Sequence, residues 1–540
     1  MQNIVQHWKW SLAISKPYQI ELLLFFVLEL IGIVLSLLFI LWSKEAIDFA
    51  VHGTSDQMKR TIVLAIVSIL VGLLLHQYAE WLNERTRINM LIDLQNGLIK
   101  QQMLSTWQFI KNWHTGDIQV RIHSDCNEIV QMLGYSIPSF FLITIRLFAS
   151  FGFLWLMDPM LALLILAISP LFIFTKIYFR KFRKLNQELK KAESNFGHVV
   201  QENLRFRSSI RALNLQSLRW KKLENSQSML VSLKTKVLNF STLSQSIMRF
   251  TMNAGFLITL TWGIYRLHTG EISFGTMSAF LQLVSRIQSP IILLMGFVPA
   301  FVRYRTSADR LQEIMEIDIE PEVDAEIIPQ PIRIDLEQVR FRYDDKFVLD
   351  KLNISFEAGK PTAIIGSSGK GKTTLIRLLL ALLKPDEGDI WIHTATHKIA
   401  LSNAHRENFA YVPQGDKLFT GTIRENLQIG KIHFTEDQLH EALYTACAEF
   451  VYSLPDGLDT EIGESGYGLS EGQAQRIAVA RALLRNSSIW LFDEVTSALD
   501  PDTSTQMIAR LMEAGKDKLL VFVTHDLKLA NQCKKTIYIS

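Results

Sequence analysis

Two stretches of the sequence carry residue types whose spacing points to phosphate chemistry. Residues 366–374 read Gly366, Ser367, Ser368, Gly369, Lys370, Gly371, Lys372, Thr373 and Thr374, a glycine, four residues, then Gly-Lys-Thr. Small residues let successive backbone N–H groups surround a triphosphate, and the helix that follows adds positive potential at its start. Lys372 can reach the outer phosphates and Thr373 offers its hydroxyl to Mg²⁺. Residues 488–492, SIWLF, form a buried-strand run that ends in Asp493 and Glu494. Adjacent strand residues point to opposite sides, so Asp493 suits the shell of the cation and Glu494 can polarise a water for attack on the terminal phosphate. Solvated acids capping a strand are the bland alternative, and the phosphate loop upstream weighs against it.

These groups need rigid elements behind them. Residues 361–365, PTAII, are strand-like and lead into the loop, and the apolar run LIRLLLALL follows it, which is the strand-to-helix context the loop requires. Short β-branched runs alternate with helical stretches through this part of the chain, the pattern of a wound α/β sheet with loops at its strand ends.

The whole chain is far larger than such a domain. It has 540 residues, 48% hydrophobic and 20% charged, with a net charge of +3 and a mean hydropathy of +0.16. Those values exclude a disordered chain, collagen and a nucleic-acid-coating protein, so no nucleic-acid partner is expected. Three widely spaced cysteines, Cys126, Cys447 and Cys533, exclude a disulfide framework and a cysteine-rich metal site. The average conceals a division near residue 312. Residues 1–312 hold 32 Lys and Arg against 18 Asp and Glu, a net +14, whereas residues 313–540 hold 24 against 35, a net −11. Opposite charge favours a meeting of the two parts.

The first part is membrane-like. Six stretches, at about 20–42, 62–82, 134–157, 159–179, 243–265 and 275–300, are long and apolar enough for a hydrocarbon core that takes roughly 20 helical residues. The first lacks a small-residue cleavage site and reads as a retained span. Asp158 and Pro159 predict a tight hairpin between the third and fourth. Residues 180–236 carry 14 Lys and Arg against four Glu, which places the long loops, both termini and the cysteines in the cytoplasm. Near anionic head groups a solvated basic helix face explains that run without a dedicated binding role.

Ionisable groups inside spans are expensive and face a bundle interior or water. Glu29, Arg146, Arg249, Gln282 and Arg286 are the candidates for a polar substrate pathway. Intramembrane pairing, for example Glu29 with Arg146 or Arg286, is the structural alternative. Residues 313–332, with seven carboxylates and three prolines, read as an exposed linker. The expected division is thus a transmembrane domain at 1–312, the linker, and a nucleotide-binding domain at 333–540.

Between the two phosphate motifs stands Leu469-Ser470-Glu471-Gly472-Gln473, followed by an arginine-containing helix. This resembles the L-S-G-G-Q signature of ATP-binding cassette (ABC) transporters, and the order of motifs is specific to that family. The resemblance implies that Gln414, in Val412-Pro413-Gln414, is the Q-loop glutamine at the Mg²⁺ and water site. It also implies that Ser497 to Asp500 form the D-loop, that His525 is the switch histidine on the γ-phosphate, and that Tyr343 stacks on adenine. Residues 460–466 look like the exporter-type loop that touches the membrane part, and residues 116–125 and 202–211 like its two coupling segments.

The family pattern covers nearly the whole chain. It implies a multidomain membrane protein, an all-α six-helix transmembrane domain followed by an α/β P-loop ATPase, that acts as a half-transporter of the exporter type. ATP and Mg²⁺ are the implied cofactors, with ATP held between the phosphate loop of one chain and Ser470, Gly472 and Gln473 of its partner. A homodimer is the first expectation and a heterodimer the second. The implied cycle is alternating access across the cell membrane, with an amphipathic cargo such as a peptide or lipid-like molecule. Import on the same scaffold, for example metal-chelate uptake, and a nucleotide-gated sensor or channel are the other readings.

Three departures stand out. Lys370 brings an additional cation into the phosphate loop, to lean on phosphate or to point to solvent, and Glu471 replaces the first signature glycine, which leaves room for one weakened site. The sequence ends on the strand-like residues 536–540, where relatives continue with a hairpin and helix. The short polar stretch before the first span holds no cysteine, so leader-peptide cleavage by this chain is not expected.

Overall fold

The computed structural model describes residues 2–107, 113, 115–168, 174–295, 297–343, 346–367, 369–415, 418–431, 433–463 and 468–539. They fall into two compact units, residues 1–100 with 115–316, and residues 101–114 with 317–540.

The regular elements of the first unit are helices. The longest are Gln19–His52, Ser55–Leu104, Ile137–Met157, Phe174–Arg205, Gln216–His268 and Phe274–Met295. Ser55–Leu104 has 50 residues, about 75 Å at 1.5 Å per residue, well beyond a hydrocarbon core of roughly 30 Å. Among the described residues, Trp8–His52, Ser55–Leu104 and Gly116–Met157 are long and apolar enough to cross a membrane. Residues 169–173 of the fourth expected span and residue 296 of the sixth lie outside the described residues.

The core of this unit is built where Ile40, Leu154, Leu161, Phe280, Leu283 and Ile287 meet. The hairpin at Asp158 is as tight as its sequence implies. Asp158 is 2% exposed, its Oδ1 accepts from the Leu161 backbone N–H at 3.0 Å, and its Oδ2 accepts from Trp262 Nε1 at 3.1 Å. Glu29 does not pair with either arginine. Its Oε1 lies 2.6 Å from His76 Nδ1 on the next helix, a partner hidden inside an otherwise apolar run.

The second unit holds a parallel sheet in the order β11-β3-β10-β9-β6, made of β3 (Thr362–Ile365), β6 (Phe409–Val412), β9 (Ile489–Asp493), β10 (Leu519–Val523) and β11 (Lys535–Tyr538). β9 and β10 are buried along their whole length, which is why they read as continuous apolar runs. An antiparallel sheet, β2-β1-β4-β5, comprises β1 (Arg333–Tyr343), β2 (Lys346–Glu357), β4 (Glu387–His393) and β5 (Lys398–Ala400), and a short antiparallel pair joins β7 (Gly421–Thr422) to β8 (Glu461–Ile462). The two sheets close over one core through Phe341, Phe356, Ile364, Leu375, Ile392 and Val521. A second core lies under the helices Glu436–Thr445, Glu471–Leu484 and Pro501–Ala514.

The acidic stretch 313–332 is exposed over most of its length, with Ile314, Ile317, Ile328 and Pro331 buried, and it is anchored at particular points. The helix Phe297–Met315 takes its first residues, and the rest is strapped to the second unit. Glu320 makes a double ion pair with Arg406 at 2.6 and 3.0 Å, Ile328 is 2% exposed, and its N–H donates to Asn408 Oδ1 at 2.7 Å. Residues 116–125, likened to a coupling segment, continue the helical run of the first unit, and residues 101–114 belong to the second.

Candidate functional site

In open parallel sheets ligands bind beyond the carboxyl ends of the strands, and four strand ends deliver the predicted groups. β3 runs into the phosphate loop, β6 leads to Gln414, β9 ends at Asp493 and Glu494, and β10 leads to His525. Gly371 adopts φ +99° and is the N-cap of the helix Lys372–Leu379. A side chain there would meet Leu349 Cδ2 at 2.9 Å as well as strain the backbone. Ser368 lies outside the described residues.

Lys372 is buried. Its ammonium donates to the Gly366 carbonyl at 2.5 Å and lies 2.8 Å from His525 Nε2. His525 Nε2 is also 3.1 Å from Glu494 Oε1, while Gln414 Nε2 donates to Glu494 Oε2 at 2.6 Å. One ring nitrogen cannot serve both neighbours at once. It accepts from Lys372 or, when protonated, donates to Glu494. A proton or hydrogen bond moving at Glu494 therefore changes what holds Lys372.

Glu494 does not continue the strand. Its φ of +51° is a left-handed conformation costing roughly 1 kcal/mol or more for a residue with a side chain. The surrounding bonds impose it. Its N–H donates to the Val523 carbonyl at 2.9 Å, and its carbonyl accepts from Gln475 Nε2 at 2.8 Å and from Ser497 Oγ at 2.9 Å. Gln475, 1% exposed, is a positioning residue that sequence reading missed. The available signal was a glutamine on the buried face of the helix after the signature.

Asp493 is buried at the strand end. Burial, then the neighbouring Glu494 charge, pushes its carboxyl up to about 6, against the pull of Lys372 and Arg377. The folded chain thus holds this proton more tightly than the unfolded chain does. Ionising Asp493 costs stability increasingly from pH about 4 to 6, and the full cost applies above that. Asp493→Asn should therefore raise stability by on the order of 2 kcal/mol at pH 7.5, with the gap closing as pH falls to about 4. Thermal unfolding of the nucleotide-free protein across that range checks it, and a constant gap would contradict it.

The donor set fits Mg²⁺. The Thr373 hydroxyl, the Asp493 carboxylate and the amide oxygen of Gln414, whose nitrogen end is turned to Glu494, are hard oxygen ligands. A Mg²⁺ held by so few protein oxygens would complete its shell on substrate phosphates and water.

The remaining predicted residues are placed as follows. Tyr343 is partly buried against the core with its hydroxyl 3.2 Å from Arg377 Nη1. Lys370 is exposed, which favours its solvent reading. Ser470 caps the helix Glu471–Leu484 in a reciprocal pair with Gln473 at 2.9 and 3.2 Å, so the signature is a helix start with its backbone donors organised. Gly472 lies where a Cβ would be 2.6 Å from the Ala498 carbonyl. Of residues 460–466, residues 464–466 lie outside the described residues. Arg249 is exposed and Gln282 half-buried. The three cysteines are free.

Comparison with known proteins gives the same assignment. Residues 22–291 match the model of the ABC transporter transmembrane region, and residues 349–497 match the ABC transporter model. The chain is 30% identical to the ABC transporter ATP-binding protein YwjA of Bacillus subtilis (strain 168), over 97% of this chain and 92% of that protein. It is 26% identical, over 98% and 94%, to a Staphylococcus aureus (strain NCTC 8325 / PS 47) ATP-binding/permease protein named for multidrug export. Its fold is similar to that of a bacterial Atm1-family ABC exporter solved with ATP bound, with a TM-score of 0.78, 22% identity, and 96% and 94% of the two chains covered. The chain belongs to the ABC transporter family, with a helical transmembrane domain and an α/β ATPase domain fused in one polypeptide.

Proposed function

We propose that this protein is one half of an ATP-driven exporter, that two copies assemble into the working unit, and that its cargo is an amphipathic molecule with an anionic group. The observation that carries the reading is the series Lys372, His525, Glu494 and Gln414, each within hydrogen-bond reach of the next. Glu494 is the base that takes a proton from the attacking water, Gln414 and His525 hold its two oxygens, and Lys372 neutralises phosphate charge. Mg²⁺, on Thr373, Gln414 and Asp493, would draw charge from the transferred phosphoryl group. Ser470, Gly472 and Gln473 of one chain would close over ATP held by Tyr343 and residues 366–374 of the other. Closure and release would then alternate the access of a pathway through the cell membrane, with both termini and the ATPase domain on the cytoplasmic side. The multidrug-export name of the Staphylococcus aureus relative supports the direction.

Two arginines support the cargo class. Arg146 is exposed, although Leu142, Ser150 and Leu154, spaced by four on the same helix face, are buried. Arg286 interrupts the buried stripe of Ala279, Leu283 and Pro290. Their charges repel each other, and neither has an ion-pair partner among the described residues. A charge in a span costs several kcal/mol unless it is compensated, and an anionic cargo group would compensate these two.

The test is ATP hydrolysis by the reconstituted protein with matched anionic, neutral and cationic amphiphiles. Anionic compounds should stimulate it several-fold, and the double variant Arg146→Gln with Arg286→Gln should lose that selectivity. Equal stimulation by cationic compounds would reject the cargo class. Movement of cargo into the cytoplasmic compartment would favour import, and ion conductance on ATP binding a channel.

A further inference from the structure

Two segments of the second unit, the one that begins at residue 101 and the one that begins at residue 317, are joined near one end of a single helix. Within the second unit, Thr106 N–H donates to the Asp318 carbonyl at 3.1 Å and Glu320 N–H to the Leu104 carbonyl at 2.7 Å. Gln101 Nε2 donates to the Ile317 carbonyl at 3.1 Å. Residues 104–106 and 318–320 are thereby clipped together as a minimal antiparallel pair.

The clip is fastened twice to the helix that leaves the phosphate loop, Lys372–Leu379. Glu320 is bound by Arg406, whose other N–H groups donate to the carbonyls of Leu380 at 3.0 Å and Ala381 at 2.6 Å, just beyond that helix. On the other side, the Arg377 guanidinium in its last turn lies 5.0 Å from the centre of the Trp107 ring. Trp107 Nε1 is buried with no acceptor among the described residues, and the ring meets Arg377 by its face. Arg377 also donates to the Tyr343 hydroxyl at 3.2 Å, and the Tyr343 ring stands edge-on to Phe341 at 5.0 Å.

One short helix thus carries the phosphate loop at its first residue and the clip of residues 104–106 and 318–320 near its last. We propose that this helix is a rigid link through which ATP binding tightens the clip of residues 104–106 and 318–320, with Arg377 as the positioning residue that ties Trp107 to Tyr343. The link rests on the reading that residues 366–374 and Tyr343 hold ATP. A guanidinium over an aromatic face contributes roughly 1 kcal/mol or more when partly desolvated, so breaking it should be felt mainly in ATP affinity, with Glu494 untouched.

The experiment uses the full chain in lipid nanodiscs, with ATP for kinetics and a non-hydrolysable ATP analogue for hydrogen exchange. In the wild-type chain the analogue should slow exchange of the Thr106 and Glu320 amides several-fold. Trp107→Ala and Arg377→Met should abolish that response and raise KM for ATP about five- to tenfold, with kcat changed less than about twofold in Trp107→Ala. Trp107→Phe, which keeps the aromatic face, should restore both, and Arg377→Lys should restore part. A wild-type clip indifferent to the analogue, or variants that keep its protection, would overturn the link. So would a loss confined to kcat, or a Trp107→Phe chain that behaves like Trp107→Ala. No cargo enters these measurements, so failure of the exporter reading would appear elsewhere, in the amphiphile assay.

Discussion

Glu494→Gln is expected to lower ATP turnover by about 10²- to 10³-fold while ATP affinity stays within about threefold, because a positioned general base contributes 10²- to 10⁴-fold. The substitution keeps size and most hydrogen-bonding capacity. The left-handed backbone of Glu494 is fixed from outside the side chain, by Val523, Gln475 and Ser497, so the loop should hold its shape. What disappears is the carboxylate that accepts a proton. Steady-state hydrolysis and equilibrium binding of a fluorescent ATP analogue separate the two quantities. Undiminished hydrolysis would remove Glu494 from its role, and a joint loss of binding and turnover would make it a structural residue.

Lys372→Met is expected to weaken ATP binding by at least about tenfold, since a charge-assisted hydrogen bond is worth roughly 1.5–3 kcal/mol. The methionine keeps the length and loses the cation, which also frees the Gly366 carbonyl and His525 from their contacts at 2.5 and 2.8 Å. Turnover should fall further than binding, because the positive charge also opposes charge built up during phosphoryl transfer. Lys370→Met is the matched control. That side chain is exposed, and its removal should change ATP affinity by less than about twofold. Equal effects at the two positions would mean that the loop uses its cations interchangeably, contrary to the geometry.

The contrast between Lys372 and Lys370 illustrates what the sequence could and could not reveal. The glycine spacing located the loop and the strand feeding it, because only that pattern lets backbone N–H groups converge. It left two readings of Lys370, since a side chain's direction depends on the turn around it. Asp493 and Glu494 were recognisable as a pair at a strand end. The left-handed turn at Glu494 was not, because it is imposed by Gln475 and Ser497 from other elements.

In the acidic stretch after residue 312, seven carboxylates and three prolines indicated exposure, and most of the stretch is exposed. Its anchors, Glu320 on Arg406 and the Ile328 backbone on Asn408, were not legible because both partners lie some 80 residues away. Glu29 stood out as an ionisable group in an apolar run, but its partner His76 was hidden within another. Local pattern identifies elements and backbone-driven motifs, whereas side-chain pairs distant in sequence are set by packing.

The most direct test of the central claim is ATP-dependent accumulation of an anionic amphiphile by inside-out proteoliposomes carrying the wild-type or the Glu494→Gln chain. Concentrative, ATP-dependent accumulation in the wild type and none above background in the variant is the predicted result. Accumulation that persists in the variant, or its absence from wild-type vesicles that hydrolyse ATP in response to the same compound, would contradict it.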